Sequence, residues 1–254
     1  MTQMRVLAVL LLLFAPFAYA QPSAMETAFI EGRYSEAAAL AEAQGSADDL
    51  AFAARCLLAD AMSAKNNTPP PALLKQAEAL ARQALTVDER HVEGRLQLAI
   101  SLSLQARPLS TRQAMRSGLG DEAKALAESV LKDDPNNHYA NGFMAVWHIE
   151  VRRRGGAIGA SVMGASVKDG RALYRRALQT DAGDAATHWQ FARALAALNA
   201  RKYRGEITTA LDAALNAPAE SALERVMQDR AATLKTAILE KSRKETEKLA
   251  EQML

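Results

Sequence analysis

Residues 123–135 of the chain read AKALAESVLKDDP, and three other segments repeat this local pattern. They are residues 77–88 (AEALARQALTVD), 170–181 (GRALYRRALQTD) and 207–215 (ITTALDAAL). In each segment, small or apolar residues recur at positions i, i+4 and i+7, which lie on one face of an α-helix. The repetition therefore predicts several similar helices that present small side chains to their neighbours.

Another predicted helix follows each of the first three segments. These helices cover Val92–Leu104, His138–Ile149 and Ala185–Leu198. Each contains a large apolar residue followed by alanine, and these pairs are Leu98-Ala99, Met144-Ala145 and Phe191-Ala192. The alanine lets two helix backbones approach closely, and the larger neighbour fills the space beside it. The chain is therefore predicted to form successive pairs of helices.

The composition agrees with an all-α protein. The chain has 254 residues, of which 54 are alanine, and only 5% are aromatic. A β-sandwich or barrel would need more β-branched and aromatic residues. A hydrophobic fraction of 49% and a net charge of +2 also exclude a wholly disordered chain.

This pattern resembles the tetratricopeptide repeat family. That family has a small residue in the middle of the first helix of each pair and Asp-Pro after the second helix, which Asp134-Pro135 matches. Residues 32–37 (GRYSEA) resemble the turn and second-helix start of a further N-terminal copy. The resemblance implies an all-α, right-handed solenoid of antiparallel helix pairs over residues 21–217, followed by a C-terminal capping helix over residues 218–254.

The repeat spacing departs from the family. The matching leucines Leu85, Leu131, Leu178 and Leu215 are separated by 46, 47 and 37 residues, whereas the family period is about 34 residues. The extra residues fall within pairs, at Ala106–Gly120 and Arg152–Lys168. We expect expanded inner turns at these two places.

Several residues mark the predicted helix ends. Ser110 and Gln113 have the spacing of a capping box, and Asp184 and Ser221 are predicted N-caps. After residue 239 the sequence becomes almost wholly charged, as EKSRKETEK over residues 240–248. We expect the terminal helix to cap the repeats with its apolar face and then to extend into solvent.

Residues 1–20 are typical of a cleaved secretory signal peptide. Arg5 precedes an apolar run, and Ala18-Tyr19-Ala20 fits the small-x-small cleavage rule. The apolar run is about 13 residues, shorter than the roughly 20 that a membrane span needs. We therefore expect a mature periplasmic or secreted protein that starts at Gln21, with an uncleaved membrane anchor as the alternative.

The sequence offers little catalytic or metal-binding chemistry. Its four histidines (His91, His138, His148 and His188) form no H-E-x-x-H pair, and no nucleotide-binding loop is present. Cys56 is the only cysteine, so no internal disulfide forms, and its apolar helical surroundings predict a buried thiol. We expect neither catalytic nor metal-binding residues, no cofactor, and a protein that is not an enzyme.

Charge is unevenly distributed along the chain. Residues 21–50 contain six acidic residues and one arginine, whereas residues 151–204 contain eleven basic and three acidic residues. The second region predicts a basic patch that would hold an acidic protein segment or anionic lipid. The alternatives are a solvated face or pairing with the acidic N-terminal region, and the export signal argues against nucleic acid. The patch comprises Arg152, Arg153, Arg154, Lys168, Arg171, Arg175 and Arg176.

Residues 155–168 are rich in glycine and contain the near-duplicates GASVM and GASVK. A glycine-rich loop before a helix can hold an anion through backbone N–H groups. The alternatives are a flexible connector and a close helix contact through small residues. Trp147, nearby, is expected to anchor the core.

The resemblance also implies a concave groove lined by the first helix of each pair. Its recurring positions fall on Glu93, Gln97, Tyr139, Trp189 and Arg193. An exposed tryptophan beside an arginine would anchor a peptide. The expected function is a non-catalytic scaffold that binds a protein or peptide in the cell envelope. The alternative is an accessory of an envelope transport system that binds a small ligand near the glycine-rich turn.

Overall fold

The computed structural model describes residues 22–254. All regular secondary structure in this range is helical and forms thirteen helices, so the predicted all-α class is confirmed. The predicted signal peptide, residues 1–20, lies outside the described residues, as does Gln21.

The first seven helices carry the N-terminal half of the described chain. They are α1 (Ala24–Ile30), α2 (Tyr34–Glu42), α3 (Ala47–Ser63), α4 (Pro71–Val87), α5 (Val92–Ala106), α6 (Thr111–Ser117) and α7 (Leu119–Asp133). The remaining six are α8 (His138–Val162), α9 (Val167–Thr180), α10 (Ala185–Asn199), α11 (Arg204–Asn216), α12 (Ala222–Glu240) and α13 (Arg243–Gln252).

The helix ends follow the local sequence. The side chains of Ser110 and Gln113 complete the predicted capping box of α6. Asp184 caps α10, and Ser221 caps α12, each through hydrogen bonds to backbone N–H groups of the first turn. Such caps satisfy donors that the helix itself leaves unpaired.

Packing occurs mainly between helices that are close in sequence. Helix α3 packs on α4, α5 on α7, α8 on α9 and α10 on α11. The small faces predicted from the repeated segments are buried in these contacts, and Ala77, Ala127 and Ala177 are fully buried. At Gly170 a Cβ atom would lie 2.9 Å from the carbonyl oxygen of Ala145, so α8 and α9 approach closely there.

Two large apolar clusters form the core. One lies mainly among α1–α5, and the other joins α8–α13, while Met62 contacts both. Helix α12 also contacts α1 and α3, and Arg230 of α12 donates a hydrogen bond to the carbonyl oxygen of Ala64. The last long helix therefore touches the first helices of the chain.

The two insertions are more helical than the expected turns. Residues 106–120 contain α6, and α8 continues to Val162 instead of ending near Ile149. Helix α8 changes direction at Gly156, where φ is 64° and ψ is −160°. Beyond this bend, Ala160 and Ala165 are buried in a cluster with Trp147, as expected of a small-residue contact and of a core tryptophan.

The C-terminal region differs from the single capping helix expected over residues 218–254. The chain turns at Lys241 and Ser242, and α13 folds back onto α10 and α12. The charged stretch therefore does not continue into solvent. Its inward face is apolar at the end, where Ala250, Met253 and Leu254 are buried.

Between residues 22 and 254, no helix has both the length and the apolar composition that crossing a membrane requires.

Candidate functional site

The five predicted groove residues lie in two different environments. Glu93, Gln97 and Tyr139 gather where α3, α5 and α8 meet. Trp189 and Arg193 lie instead beneath α13. The predicted groove is therefore not one continuous open surface.

An open cleft of about 460 Å³ lies beside Tyr139, and we call it the Tyr139 cleft. Tyr139 is 58% exposed and is the only aromatic among the large apolar side chains exposed in residues 22–254. Val92, at the start of α5, is 38% exposed in the same cleft. The lining residues are Asp48, Asp88, Arg90, His91, Val92, Glu93, Leu96, Asn137 and Tyr139.

One wall of the cleft is held by Glu93. Its Oε1 atom accepts hydrogen bonds from Nε of Arg55 at 2.6 Å and from Nε2 of Gln97 at 2.8 Å. Arg55 belongs to α3, so this ion pair joins α3 to α5. Gln97 is only 8% exposed and therefore orients Glu93 instead of facing a partner.

His91 holds the mouth of the same cleft. Its Nδ1 atom accepts a hydrogen bond from the N–H of Gly94 at 3.1 Å, which caps α5. The Nε2 atom lies 2.9 Å from Oδ1 of Asp48 and donates to it. Sequence reasoning missed Arg55 and Asp48, because no spacing rule links α3 to residues about 40 positions later.

Trp189 does not line an exposed surface, which corrects the prediction. Its side chain is fully buried, and its indole N–H donates a hydrogen bond of 2.8 Å to the main-chain oxygen of Leu254. The prediction failed because residues 243–254 cover this face of α10.

Arg193 is also buried, which corrects the second half of the predicted anchor. It is 3% exposed, and its Nη2 atom lies 3.1 Å from Oε1 of Glu150. Arg153 pairs with the same carboxylate at 2.8 Å. Burial alone would raise the pKa of Glu150, but the charges of Arg193, Arg153 and Arg107 outweigh it and hold this pKa at about 2.

The predicted basic patch is divided between inward-facing and outward-facing side chains. Arg153 binds Glu150 and Glu251, and Arg154 donates to the carbonyl oxygens of Ala106 and Leu109. Arg171 pairs with Glu206, and Arg152 is half-buried. The exposed members are Lys168, Arg175 and Arg176. The exposed basic patch therefore consists of three of the seven predicted residues.

A second cleft, of about 480 Å³, lies between α9, α10 and α11. Its wall contains Tyr174 and Phe191, whose rings stack at 3.8 Å. The small-ligand alternative had placed a pocket beside Trp147 and the glycine-rich segment. Neither the Tyr139 cleft nor this second cleft is lined by Trp147 or by residues 155–168.

His188 forms hydrogen bonds inside the fold, and Cys56 is buried in its apolar core. His188 donates from Nε2 to the carbonyl oxygen of Ala182, so its Nδ1 accepts from the hydroxyl of Tyr174 at 2.6 Å. Cys56 is buried as expected, and burial raises the pKa of its thiol to about 12. Over residues 22–254, no three His, Cys, Asp or Glu side chains are arranged to hold a metal ion.

Comparison with known proteins adds no relative. No protein-family model matches the chain, and a search of the curated proteins also finds no match.

Proposed function

We propose that the protein is an exported scaffold with tetratricopeptide-like helix pairs, and that it binds a protein or peptide partner in the cell envelope without catalysing a reaction. The binding face in this proposal is the Tyr139 cleft, which keeps Glu93 and Tyr139 of the predicted groove. Gln97 supports the cleft from within.

The packing of the helices supports the tetratricopeptide-like part of the proposal. The four repeated segments coincide with α4, α7, α9 and α11, and each packs on the helix that precedes or nearly precedes it. Their small residues are buried at these contacts, as backbone-to-backbone packing of helix pairs requires. A series of such pairs offers extended surfaces for a partner without any reactive residue.

The exposed ring of Tyr139 is the observation that carries the binding proposal. A large aromatic ring that remains 58% exposed leaves apolar area in water, and burying that area against a partner is favourable. Tyrosine is also enriched among the residues that dominate protein interfaces. The Arg55–Glu93 ion pair beside it is already formed, so little side-chain ordering is needed on binding.

The free charges of the cleft favour a partner segment with basic and apolar side chains. The side chain of Asp48 is 94% exposed, although it accepts a hydrogen bond from His91. Asp88 is also exposed. Acidic groups at the rim steer basic ligands toward the cleft and fix their orientation.

Site-specific photocrosslinking in the source cells tests this proposal. A photoreactive amino acid replaces Tyr139 in one variant and Leu239, which is 69% exposed on α12, in a control variant. We expect the same protein adduct in every replicate at position 139 and its absence at position 239. Identical adducts at both positions, or none at position 139, would overturn the proposed binding face.

A substitution measures the contribution of the ring once the adduct is identified. Tyr139→Ala is expected to weaken binding of that partner by about tenfold or more, because interface tyrosines often contribute about 2 kcal/mol. Leu239→Ala is the matched control and should leave the dissociation constant unchanged. Equal affinities of the two variants would contradict the role given to Tyr139.

A further inference from the structure

The cleft between α9, α10 and α11 has no part in the proposed function. Helix α9 packs mainly on α8, and α11 packs mainly on α10, so an opening remains between α9 and α11. Its volume is about 480 Å³. Small-molecule sites usually measure roughly 300–1,000 Å³, so this cleft is large enough for a small ligand. We call it the aromatic cleft, after Tyr174 and Phe191 in its wall.

The aromatic wall of this cleft is fixed in place before any ligand binds. The rings of Tyr174 and Phe191 lie parallel, with their centroids 3.8 Å apart. The hydroxyl of Tyr174 donates to Nδ1 of His188 at 2.6 Å, so the one polar atom of this ring is already used. Ala210 of α11 continues the apolar lining. An ordered aromatic wall favours a planar apolar ligand, because little side-chain freedom is lost on binding.

One ion pair bridges the aromatic cleft. Arg171 of α9 donates to both carboxylate oxygens of Glu206 in α11, through Nε at 2.6 Å and through Nη2. The same guanidinium lies over the ring of Tyr203, 5.3 Å from its centroid. Arg171 and Glu206 therefore neutralise each other. This pair joins α9 to α11 and leaves no free charge for a ligand.

The next turn of the same two helices has no such pair. Arg175 follows Arg171 by four residues on α9, and Thr209 follows Glu206 by three residues on α11, so each lies on the same helix face. Both side chains line the cleft, and both are exposed. Among the residues that the structure describes, no carboxylate pairs with Arg175, and the hydroxyl of Thr209 makes no hydrogen bond. A guanidinium and a hydroxyl therefore border the cleft without an acceptor from the protein.

The chain beside this cleft is also basic. Gly205 lines the cleft, and the exposed residues Arg201, Lys202 and Arg204 come just before it. Glu206 is the only acidic residue in the lining that the structure describes, and its charge is balanced by Arg171. The summed field of these groups attracts an anion to the cleft.

We propose that the aromatic cleft binds a small aromatic carboxylate. The ring of the ligand packs against the wall that Tyr174 and Phe191 form. Its carboxylate accepts hydrogen bonds from the guanidinium of Arg175 and the hydroxyl of Thr209. Hydrogen bonds between two charged groups are about twice as strong as those between neutral groups, so the carboxylate contributes much of the affinity. This site is separate from the Tyr139 cleft and does not depend on it.

Isothermal titration calorimetry of the purified protein with three probes tests the ligand class. The probe 2-naphthoate has both the ring and the charge, 2-naphthamide has the ring alone, and acetate has the carboxylate alone. We expect 2-naphthoate to bind at one site with a dissociation constant below about 1 mM, and each control to bind at least about tenfold more weakly. Absence of saturable 2-naphthoate binding, or equal affinity for either control, would overturn the proposal.

Substitutions at exposed positions locate the site without disturbing the core. Arg175→Gln is expected to weaken 2-naphthoate binding by about tenfold, and Thr209→Val, which keeps the shape of the side chain, by about threefold. Arg176→Gln is the matched control, because Arg176 is the next residue of α9, is also exposed and does not line the cleft. This control should leave the dissociation constant unchanged. Equal effects of Arg175→Gln and Arg176→Gln would contradict the assigned site.

One further variant keeps this test apart from the proposed function. Tyr139→Ala changes only the Tyr139 cleft, so we expect it to leave the affinity for 2-naphthoate unchanged. An effect of Tyr139→Ala as large as that of Arg175→Gln would show that the aromatic carboxylate binds at the Tyr139 cleft, and it would refute a separate site.

Discussion

Both ring nitrogens of His138 face hydrogen-bond acceptors. Nδ1 lies 3.0 Å from the carbonyl oxygen of Ala177, and Nε2 lies 2.9 Å from Oδ2 of Asp184. The protonated ring carries an N–H on each nitrogen and can donate to both acceptors, so these contacts favour the imidazolium form. Burial alone would lower the pKa of His138, but the hydrogen bonds to Asp184 and Ala177 raise it above its ordinary value.

The raised pKa gives His138 a defined pH dependence. Its stabilisation is fully present below pH about 6.5, the pKa of an unfolded histidine, and is lost as the pH rises through the folded pKa. We expect His138→Gln to lower the free energy of unfolding by about 1–3 kcal/mol at low pH, because Asp184 loses its charged partner. Urea denaturation from pH 5.5 to 8.5 should show this difference shrinking as the pH rises.

His148 provides a control of opposite sign. Its Nδ1 atom accepts a hydrogen bond from the N–H of Ser166, and burial lowers its pKa. Its contribution is therefore full above pH about 6.5 and is lost as the pH falls. The stability difference between the wild type and His148→Gln should shrink toward low pH. If the stability difference changed with pH in the same direction for both variants, the opposite pKa shifts of His138 and His148 would be contradicted.

At the scale of helices, Gly170 sets the distance between α8 and α9. A Cβ atom there would lie 2.9 Å from the backbone oxygen of Ala145 and 3.3 Å from Ile149, so one of the helices must move. We expect Gly170→Ala to lower the free energy of unfolding by about 1–3 kcal/mol. Thermal or urea denaturation followed by circular dichroism measures the change.

Gly205 is the matched control for this substitution. It lies in α11, and a Cβ atom there would have no neighbour within 4 Å. Gly205→Ala should therefore stabilise the protein by up to about 1 kcal/mol, because alanine favours the helix more than glycine does. Equal effects of the two substitutions would show that close approach at Gly170 is unimportant.

The helices themselves were predictable from sequence. The helices that follow the first three repeated segments begin at Val92, His138 and Ala185, as the pattern predicts. The residues at i, i+4 and i+7 of the repeated segments are buried, apart from half-buried Tyr174. Local signals are sufficient here, because a helix start depends on its cap and its buried face depends on the 3.6-residue period.

The position of residues 243–254 was not predictable in the same way. Its sequence is highly charged, and only Thr246 and Ala250 mark an inward face within α13. Its hydrogen bonds to Arg107, Trp189 and Arg230 use main-chain oxygen atoms, which leave no trace in a residue pattern. Trp189 and Arg193 were correctly placed on one face of α10, but the segment that covers this face lies more than 50 positions later. The glycine at 156 likewise bends α8 without ending it.

At the scale of the whole chain, the proposal that the protein is exported rests on residues 1–20. If these residues are a cleaved signal peptide, the protein recovered from the periplasm of an expressing bacterium starts at Gln21. Intact-mass measurement and N-terminal sequencing check this outcome. A membrane-bound protein that retains residues 1–20 would instead support the uncleaved anchor.

The arrangement of the whole molecule leaves the Tyr139 cleft as the open part of the predicted groove. Helix α12 packs against α1 and α3, and residues 243–254 cover the surface around Trp189. Tyr139, Val92, Asp48 and Glu93 all line this cleft, so the proposed partner would reach them without rearrangement of the fold. The proposed function requires that a partner covers this cleft.

Hydrogen–deuterium exchange measures most directly whether the partner covers the cleft. The sample is the complex of the protein with the partner that photocrosslinking identifies. We predict that binding slows amide exchange at the start of α3, at the start of α5 and in residues 137–139. Little change is expected in α9 and α11. Protection confined to α9 and α11, with residues 91–97 and 137–139 unaffected, would contradict it.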